Sequence, residues 1–289
     1  MNTRELLKKV RKVEIKTKGL SKQIFSGEYH SAFKGRGMSF SEVRNYQYGD
    51  DVRNIDWNVT ARTGEPYVKV FEEERELTLM LLVDLSPSAF FGTRTMFKDN
   101  LITEICAVLS FSAAQNNDKV GIILFTDQVE LYIPPKKGKS HILRIIRELI
   151  NFEASGHRTD LSAPLIYLNN VIKKRAITFL LSDFLAKGYG EALRIAAKKH
   201  DIIGLHIFDE TERDLPRAGL IEVQDAETGS TRLIDSSDPR VRQAYTERFE
   251  EHEQYFKRSF QKAKSDILSI RTDESYIPVL HQFFKRRTK

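Results

Sequence analysis

Asp84, Ser86 and Ser88 alternate along a loop, Asp-Leu-Ser-Pro-Ser, that follows the uncharged run Leu79-Met80-Leu81-Leu82-Val83. A carboxylate and two hydroxyls at alternate positions offer three hard oxygen donors, which suit a small hard cation, Mg²⁺ or Mn²⁺ before Zn²⁺. The same residues also suit a plainer task. Asp and Ser cap helices by accepting from free backbone N–H groups, and the Asp-x-Ser-x-Ser pattern alone does not choose between the two.

A second acid, Asp183, follows another apolar run, Ala176 to Leu181, and Thr159 stands where a polar loop opens into a helix with Leu165 and Leu168. Two central parallel strands in one sheet bring the acids at their ends to the same rim, where Thr159 can join them. No residue is placed as a catalytic base: His157 is the nearest candidate in sequence and reads as a surface-loop histidine, because nothing orients its ring. A haloacid dehalogenase-like phosphatase also puts an acid after a buried strand, but it needs a second carboxylate two residues on, where this chain has Ser86. Gly138-Lys139-Ser140 mimics the end of a phosphate-binding P-loop, but Ile133 stands where that motif needs glycine, with Pro134 and Pro135 between. Ser140 reads instead as the N-cap of a helix from His141 to Asn151.

These residues need a frame of buried strands. Leu79–Val83, Lys119–Phe125, Ala176–Leu181, Asp201–Phe208 and Ile267–Arg271 are short apolar runs, the pattern of strands covered on both faces. Helical spacing separates them: Phe97 to Leu109, His141 to Asn151, Gly190 to Lys199, Pro239 to Lys264 and Tyr276 to Phe284. The alternation predicts an α/β fold, doubly wound about a mainly parallel sheet, with a hairpin insertion near 216–236 that turns at Glu227-Thr228-Gly229.

The 289-residue chain carries a net charge of +6, concentrated in the N-terminal segment and in the closing run Lys285-Arg286-Arg287-Thr288-Lys289. Nucleic-acid binding or binding to an anionic surface is the alternative this suggests. No aromatic residues interleave with the basic ones as stacking platforms, and the runs read as solvated helix faces and a frayed tail. The single cysteine, Cys106, reads as a small core residue and excludes a disulfide framework or a Cys-rich metal site. No apolar stretch is long enough to span a bilayer, so the expected location is the cytoplasm, with peripheral membrane attachment through a partner left open.

Ahead of the first buried strand lie an amphipathic helix, Thr3 to Val13, a glycine-dotted loop from Gly19 to Gly37, and a block from Phe33 to Thr78 that mixes acids and arginines with Phe40, Tyr46 and Trp57. Arg44, Arg53, Arg62, Asp51, Asp56, Glu72 and Glu74 are expected to form a paired network that locks this block onto the main domain and buries Trp57; the alternative is a docking face for a partner. The chain divides into an N-terminal extension, residues 1–76, and a main domain, residues 77–289.

Together, Asp84, Ser86, Ser88, Thr159 and Asp183 resemble the metal-ion-dependent adhesion site of von Willebrand factor type A domains, over roughly Leu77 to the C-terminus. The block YQYGDDVRNIDWNVTAR followed by PYVKVFEEERELT resembles the signature of the bacterial domain of unknown function 58 family. That family joins such a block to a type A domain, and its genes often accompany MoxR-type AAA ATPases. The resemblance implies a von Willebrand factor type A-like (Rossmann-like) sheet with the N-terminal extension packed on it. It implies a Mg²⁺ or Mn²⁺ site, occupied or not, made by the five residues, and a non-enzymatic protein-interaction role in protein maturation or stress response. The implied partner supplies an acidic ligand and is a MoxR-type ATPase or its client. Two departures stand out: many relatives have Met after the second serine, where this chain has Ala89-Phe90-Phe91, and many carry N-terminal membrane helices not found in this sequence.

Overall fold

The computed structural model describes residues 8, 10–17, 38–73, 77–90, 97–225, 227 and 229–288. The loop expected at 19–37 lies outside the described residues, as do Glu74 and the side chains of Phe40 and Glu72.

Six strands form the central sheet: β3 (Thr78–Asp84), β4 (Lys119–Phe125), β5 (Val129–Lys136), β6 (Ile177–Ser182), β7 (Asp201–Phe208) and β10 (Asp266–Arg271). Their order is β10-β7-β6-β3-β4-β5. All neighbours are parallel except the edge strand β5, which returns antiparallel to β4 through a tight turn. This is a mainly parallel, doubly wound α/β sheet.

The core shows why the sheet is wound on both sides. Leu79, Leu81 and Val83 point to one face, and Met80 and Leu82 to the other, as the two-residue period of a strand requires. The first face is covered by α3 (Lys98–Gln115) and α9 (Tyr276–Thr288); the second by α5 (Ser162–Val171), α6 (Gly190–Lys199) and α8 (Pro239–Ala263). Leu79 to Val83 have no exposed surface. Truncating one of these leucines or Met80 to Ala costs about 2–5 kcal/mol through lost burial and the cavity left behind. Gly204 on β7 marks a close helix approach: a Cβ there would stand 2.6 Å from the ring of Phe260 in α8.

The helix α4 (Lys139–Asn151) begins two residues earlier than the expected His141, with Gly138 rather than Ser140 as its N-cap at φ 100°, and Ser140 lies within its first turn. The hairpin of β8 (Leu220–Gln224) and β9 (Thr231–Asp235) occupies the expected insertion. The C-terminal basic run is not simply a frayed tail. Arg287 reaches Asp201 at 2.8 Å and Asp266 at 2.7 Å, clamping the starts of β7 and β10.

The N-terminal part divides in two. The helix α1, over residues 10–17, packs Val10 and Val13 against Ala107, Phe111, Ile142 and Ile146, with Lys16 paired to Glu104 and Lys139 paired to Glu14. The signature block builds its own two-stranded sheet, β1 (Met38–Asn45) and β2 (Tyr67–Glu73), joined through the short helix α2 (Trp57–Thr63). Among the described residues, two expectations fail here. Arg44–Asp50, Arg53–Asp51 and Lys69–Asp56 pair within the block. Trp57 is 67% exposed: it opens a seven-residue helix, capped by Asp56, that has no buried residue.

Candidate metal centre

The site is built where β3 and β6 end side by side. Val83 is in register with Leu181, which places Asp84 beside Ser182. Asp84 closes a local turn by accepting from the Ser86 N–H at 2.9 Å on Oδ1, the usual way an aspartate shapes the chain two residues on. Its Oδ2 accepts from the Ser182 hydroxyl at 2.6 Å. Pro87, with φ fixed for helical entry, then starts a 3₁₀ turn, Pro87–Phe90, that carries Ser88. The Ser86 and Ser88 hydroxyls lie 3.0 Å apart.

Asp183 follows β6 directly. The Ser88 hydroxyl donates to its carboxylate, and the Leu185 N–H reaches Oδ1 at 3.3 Å. With Ser88 donating to Asp183, the single Ser86 proton has two acceptors in reach, the Asp84 carboxylate and Ser88 Oγ, and in either case Ser86 Oγ keeps lone pairs to offer. The next residue, Phe184, has φ 53°, an unusual conformation for a bulky side chain. It is held there by Phe256, Phe260 and Tyr189 and by the Ser182 hydroxyl, which accepts from its N–H at 3.0 Å. Backbone strain of this kind persists only when the surroundings over-determine it, and it sits next to a candidate ligand.

Thr159 comes to the same rim from the β4 side. The loop 152–161 is pinned by Glu130, which accepts from Ser155 Oγ at 2.6 Å and Gly156 N at 2.8 Å. Asp160 N donates to Thr126 O at 3.0 Å, just beyond Phe125, the register partner of Asp84. Thr159 is half-buried. Hydrogen bonds thus join Asp84, Ser86, Ser88 and Asp183 directly, and Thr159 stands one residue from a bond to the neighbouring strand. His157 is exposed in this loop.

Sequence reasoning missed three further residues. Ser182 bridges the two strand ends. Lys98, the first residue of α3, is buried, with its ammonium 3.1 Å from Asp183 Oδ2 and 2.6 Å from Glu212 Oε1. Glu212, in α7 (Glu210–Arg213), also accepts from the Asp209 N–H at 2.8 Å. The only sequence signal for Lys98 was a cation in the first turn of an apolar helix, where the helix dipole favours an acid.

The charges pull apart as these contacts require. Burial, reinforced by repulsion from Asp183, pushes Asp84 up to about 6. Burial also works against Asp183, but the Lys98 ammonium and the Ser88 hydroxyl outweigh it and hold that carboxyl below its ordinary value. For Lys98 burial opposes the charge, and Asp183 and Glu212 more than restore it. Burial raises Glu212 despite the Lys98 attraction.

A family model described as "Protein of unknown function DUF58" matches residues 42–255, from β1 into α8 and across the whole rim. The chain belongs to this family. Among similar proteins, the uncharacterized protein Rv1480 of Mycobacterium tuberculosis is 29% identical over 283 residues, covering 97% of this chain and 89% of its own. YeaD of Bacillus subtilis is 28% identical over 109 residues, 38% of this chain and 25% of its own. Among solved structures, BatB from Bacteroides thetaiotaomicron superposes with a TM-score of 0.47 at 15% identity over 73% of this chain and 98% of its own.

The donor set in this DUF58 chain fits a hard divalent cation. Two oxygens bound to one Mg²⁺ at neighbouring octahedral positions, each about 2.1 Å from it, stand about 3 Å apart. The Ser86 and Ser88 hydroxyls are 3.0 Å apart. Among the described residues no three His, Cys, Asp or Glu side chains cluster as a metal cage. A hard cation at this rim would take the hydroxyls as its direct donors, with the buried carboxylates of Asp84 and Asp183 supplying charge behind them. Oxygen donors of this kind select Mg²⁺ or Mn²⁺ over softer ions.

Proposed function

We propose that this protein is a non-enzymatic, metal-dependent protein-interaction module of the cytoplasm, in which Ser86, Ser88 and Thr159 hold Mg²⁺ or Mn²⁺ with Asp84 and Asp183 in support. The observation that carries the reading is the pair of hydroxyls 3.0 Å apart beside two buried carboxylates at the carboxyl rim of the sheet. A metal held chiefly by neutral hydroxyls keeps positive charge to spare, and an acidic side chain from a partner is the ligand that satisfies it. Asp84 orients the loop through the Ser86 N–H, Ser182 fixes Asp84, and the rim residues exclude water from both carboxylates. Among the described residues no helix is long and apolar enough to cross a membrane.

The identity of the partner, a MoxR-type AAA ATPase or its client, rests on the family resemblance of the block from Tyr46 to Thr78. The protein acts as an adaptor that presents or receives that client. Calorimetry with Mg²⁺ or Mn²⁺ tests the metal half: one site is expected, lost in Asp84→Ala and in Ser86→Ala. Binding to a purified MoxR-type ATPase with and without EDTA tests the other half. Equal affinity with EDTA, or in Asp183→Ala, would overturn the metal-bridged mechanism.

A further inference from the structure

Lys98 stands in a position that is unfavourable three times over. Its side chain is only 1% exposed, so a charge is buried. It opens α3, where the positive end of the helix dipole repels a cation. It also lies 3.1 Å from Asp183, beside the candidate metal position. A neutral residue would fill this position at less cost if the ammonium had no task.

The surroundings hold the charge in place from two sides. Asp183 belongs to the turn after β6, and Glu212 belongs to the turn after β7. Glu212 is fixed in its own right, because its second oxygen accepts from the Asp209 N–H in a capping box. Asp209 is anchored in turn by the Thr272 hydroxyl at 2.6 Å, after β10. The cluster therefore ties the rim ends of three adjacent strands to the start of α3. Glu212 takes part of the lysine's charge and Asp183 takes part, so Asp183 is shared between an internal cation and any metal.

We propose that Lys98 is a built-in counter-cation for the metal site, which holds the rim together without a metal and competes with the divalent ion for Asp183. The inference rests on the metal reading above and deepens it. A site that carries its own cation binds a divalent ion weakly by itself. The partner's carboxylate then adds the negative charge that the metal lacks, so metal and partner bind together better than either binds alone. Lys98 acts through Asp183 and is a positioning residue, and Glu212 sets how strongly it competes.

The test is Mn²⁺ binding to the full chain by calorimetry, with thermal melts in EDTA and in saturating Mn²⁺. Lys98→Met removes the competitor, so Mn²⁺ is expected to bind about 10- to 100-fold more tightly, the size of effect usual for residues that orient metal ligands. The same variant melts lower than wild type in EDTA and recovers most of the difference in Mn²⁺. Glu212→Gln leaves Lys98 more fully on Asp183, and Mn²⁺ is expected to bind more weakly. Equal or weaker Mn²⁺ binding in folded Lys98→Met overturns the proposal. Should Lys98→Met not fold even in Mn²⁺, Glu212→Gln decides, since unchanged or tighter binding there overturns it equally. If Asp84→Ala abolishes a wild-type site that Lys98→Met leaves unchanged, the metal reading stands and the counter-cation role falls. If wild type, Lys98→Met and Glu212→Gln all fail to bind Mn²⁺, both fall.

Discussion

The Ser182 hydroxyl donates to the buried Asp84 carboxylate at 2.6 Å, across the junction of two parallel strands. The same oxygen accepts from the Phe184 N–H at 3.0 Å. One small side chain therefore fixes both the acid that shapes the serine loop and the strained turn that carries Asp183.

Ser182→Ala should destabilise the protein by about 1–3 kcal/mol, because it leaves a buried carboxylate and a buried N–H each short of a partner. Urea denaturation in EDTA reads this directly. Metal binding should weaken as well, since the loop that presents Ser86 hangs on Asp84. A change below the error of the urea midpoint would show that the bond contributes nothing.

The dependence of stability on pH has a defined sign. His200 and His206 are each 1% exposed, and burial holds each down to about 4 against an ordinary 6.5. The unfolded chain binds more protons than the folded one between those values, so stability present above pH 6.5 is lost as pH falls through about 4. Asp84 opposes this: raised from 3.8 to about 6, it contributes stability below 3.8 that is lost as pH rises through about 6. Burial also lowers His252, which adds to the two histidines, and raises Glu212, which adds to Asp84; three imidazoles outweigh two carboxyls, and the urea midpoint in EDTA should fall from pH 6.5 to 4. His206→Phe, on a ring stacked 4.8 Å from Phe208, should flatten that fall. A midpoint that rises toward pH 4 would place the controlling groups elsewhere.

The loop that carries Thr159 offers a separate test. A Cβ at Gly156 would overlap the side chains of Thr126 and Asp127. Gly156→Ala must push the loop away from β4, at a cost of about 1–3 kcal/mol for overpacking. If Thr159 is a ligand, Mn²⁺ affinity should fall with it, and Thr159→Ala should lower affinity without the loss of stability. Wild-type affinity in both variants would remove Thr159 from the ligand set.

The frame of this site was legible in the sequence because buried parallel strands leave an unbroken apolar signature. Asp201–Phe208 and Gly190–Lys199 were read to the residue. The pairing of Asp84 with the end of β6 followed from two such strands ending on acids. Lys98 and Glu212 were not legible, since they lie 114 positions apart and meet only when α3 and the turn after β7 are brought to one rim. Trp57 was misread for a related reason. Aromatic residues near charge pairs suggest an interface, but the pairs of this block close locally and leave the indole outside. Arg287 was lost within a basic run whose composition says nothing of which guanidinium folds back onto Asp201.

Trp57 is the chain's only tryptophan and is 67% exposed, in the same block as Tyr48 and Val52, which are also exposed. Its emission should therefore resemble that of a free indole and be quenched readily by acrylamide. Trp57→Ala should change the melting temperature little, because no buried contact is removed. The same substitution separates the two roles considered for this block. A docking face built around an aromatic anchor loses about 2 kcal/mol or more of binding energy when the anchor is truncated. If Trp57→Ala weakens binding to the proposed ATPase partner while metal affinity and melting temperature stay as in wild type, the block is a second contact surface beside the proposed metal site. If binding is unchanged, the exposed indole has no part in the complex. A blue-shifted, quencher-protected emission in the isolated protein would instead show that the block folds onto the main domain in solution.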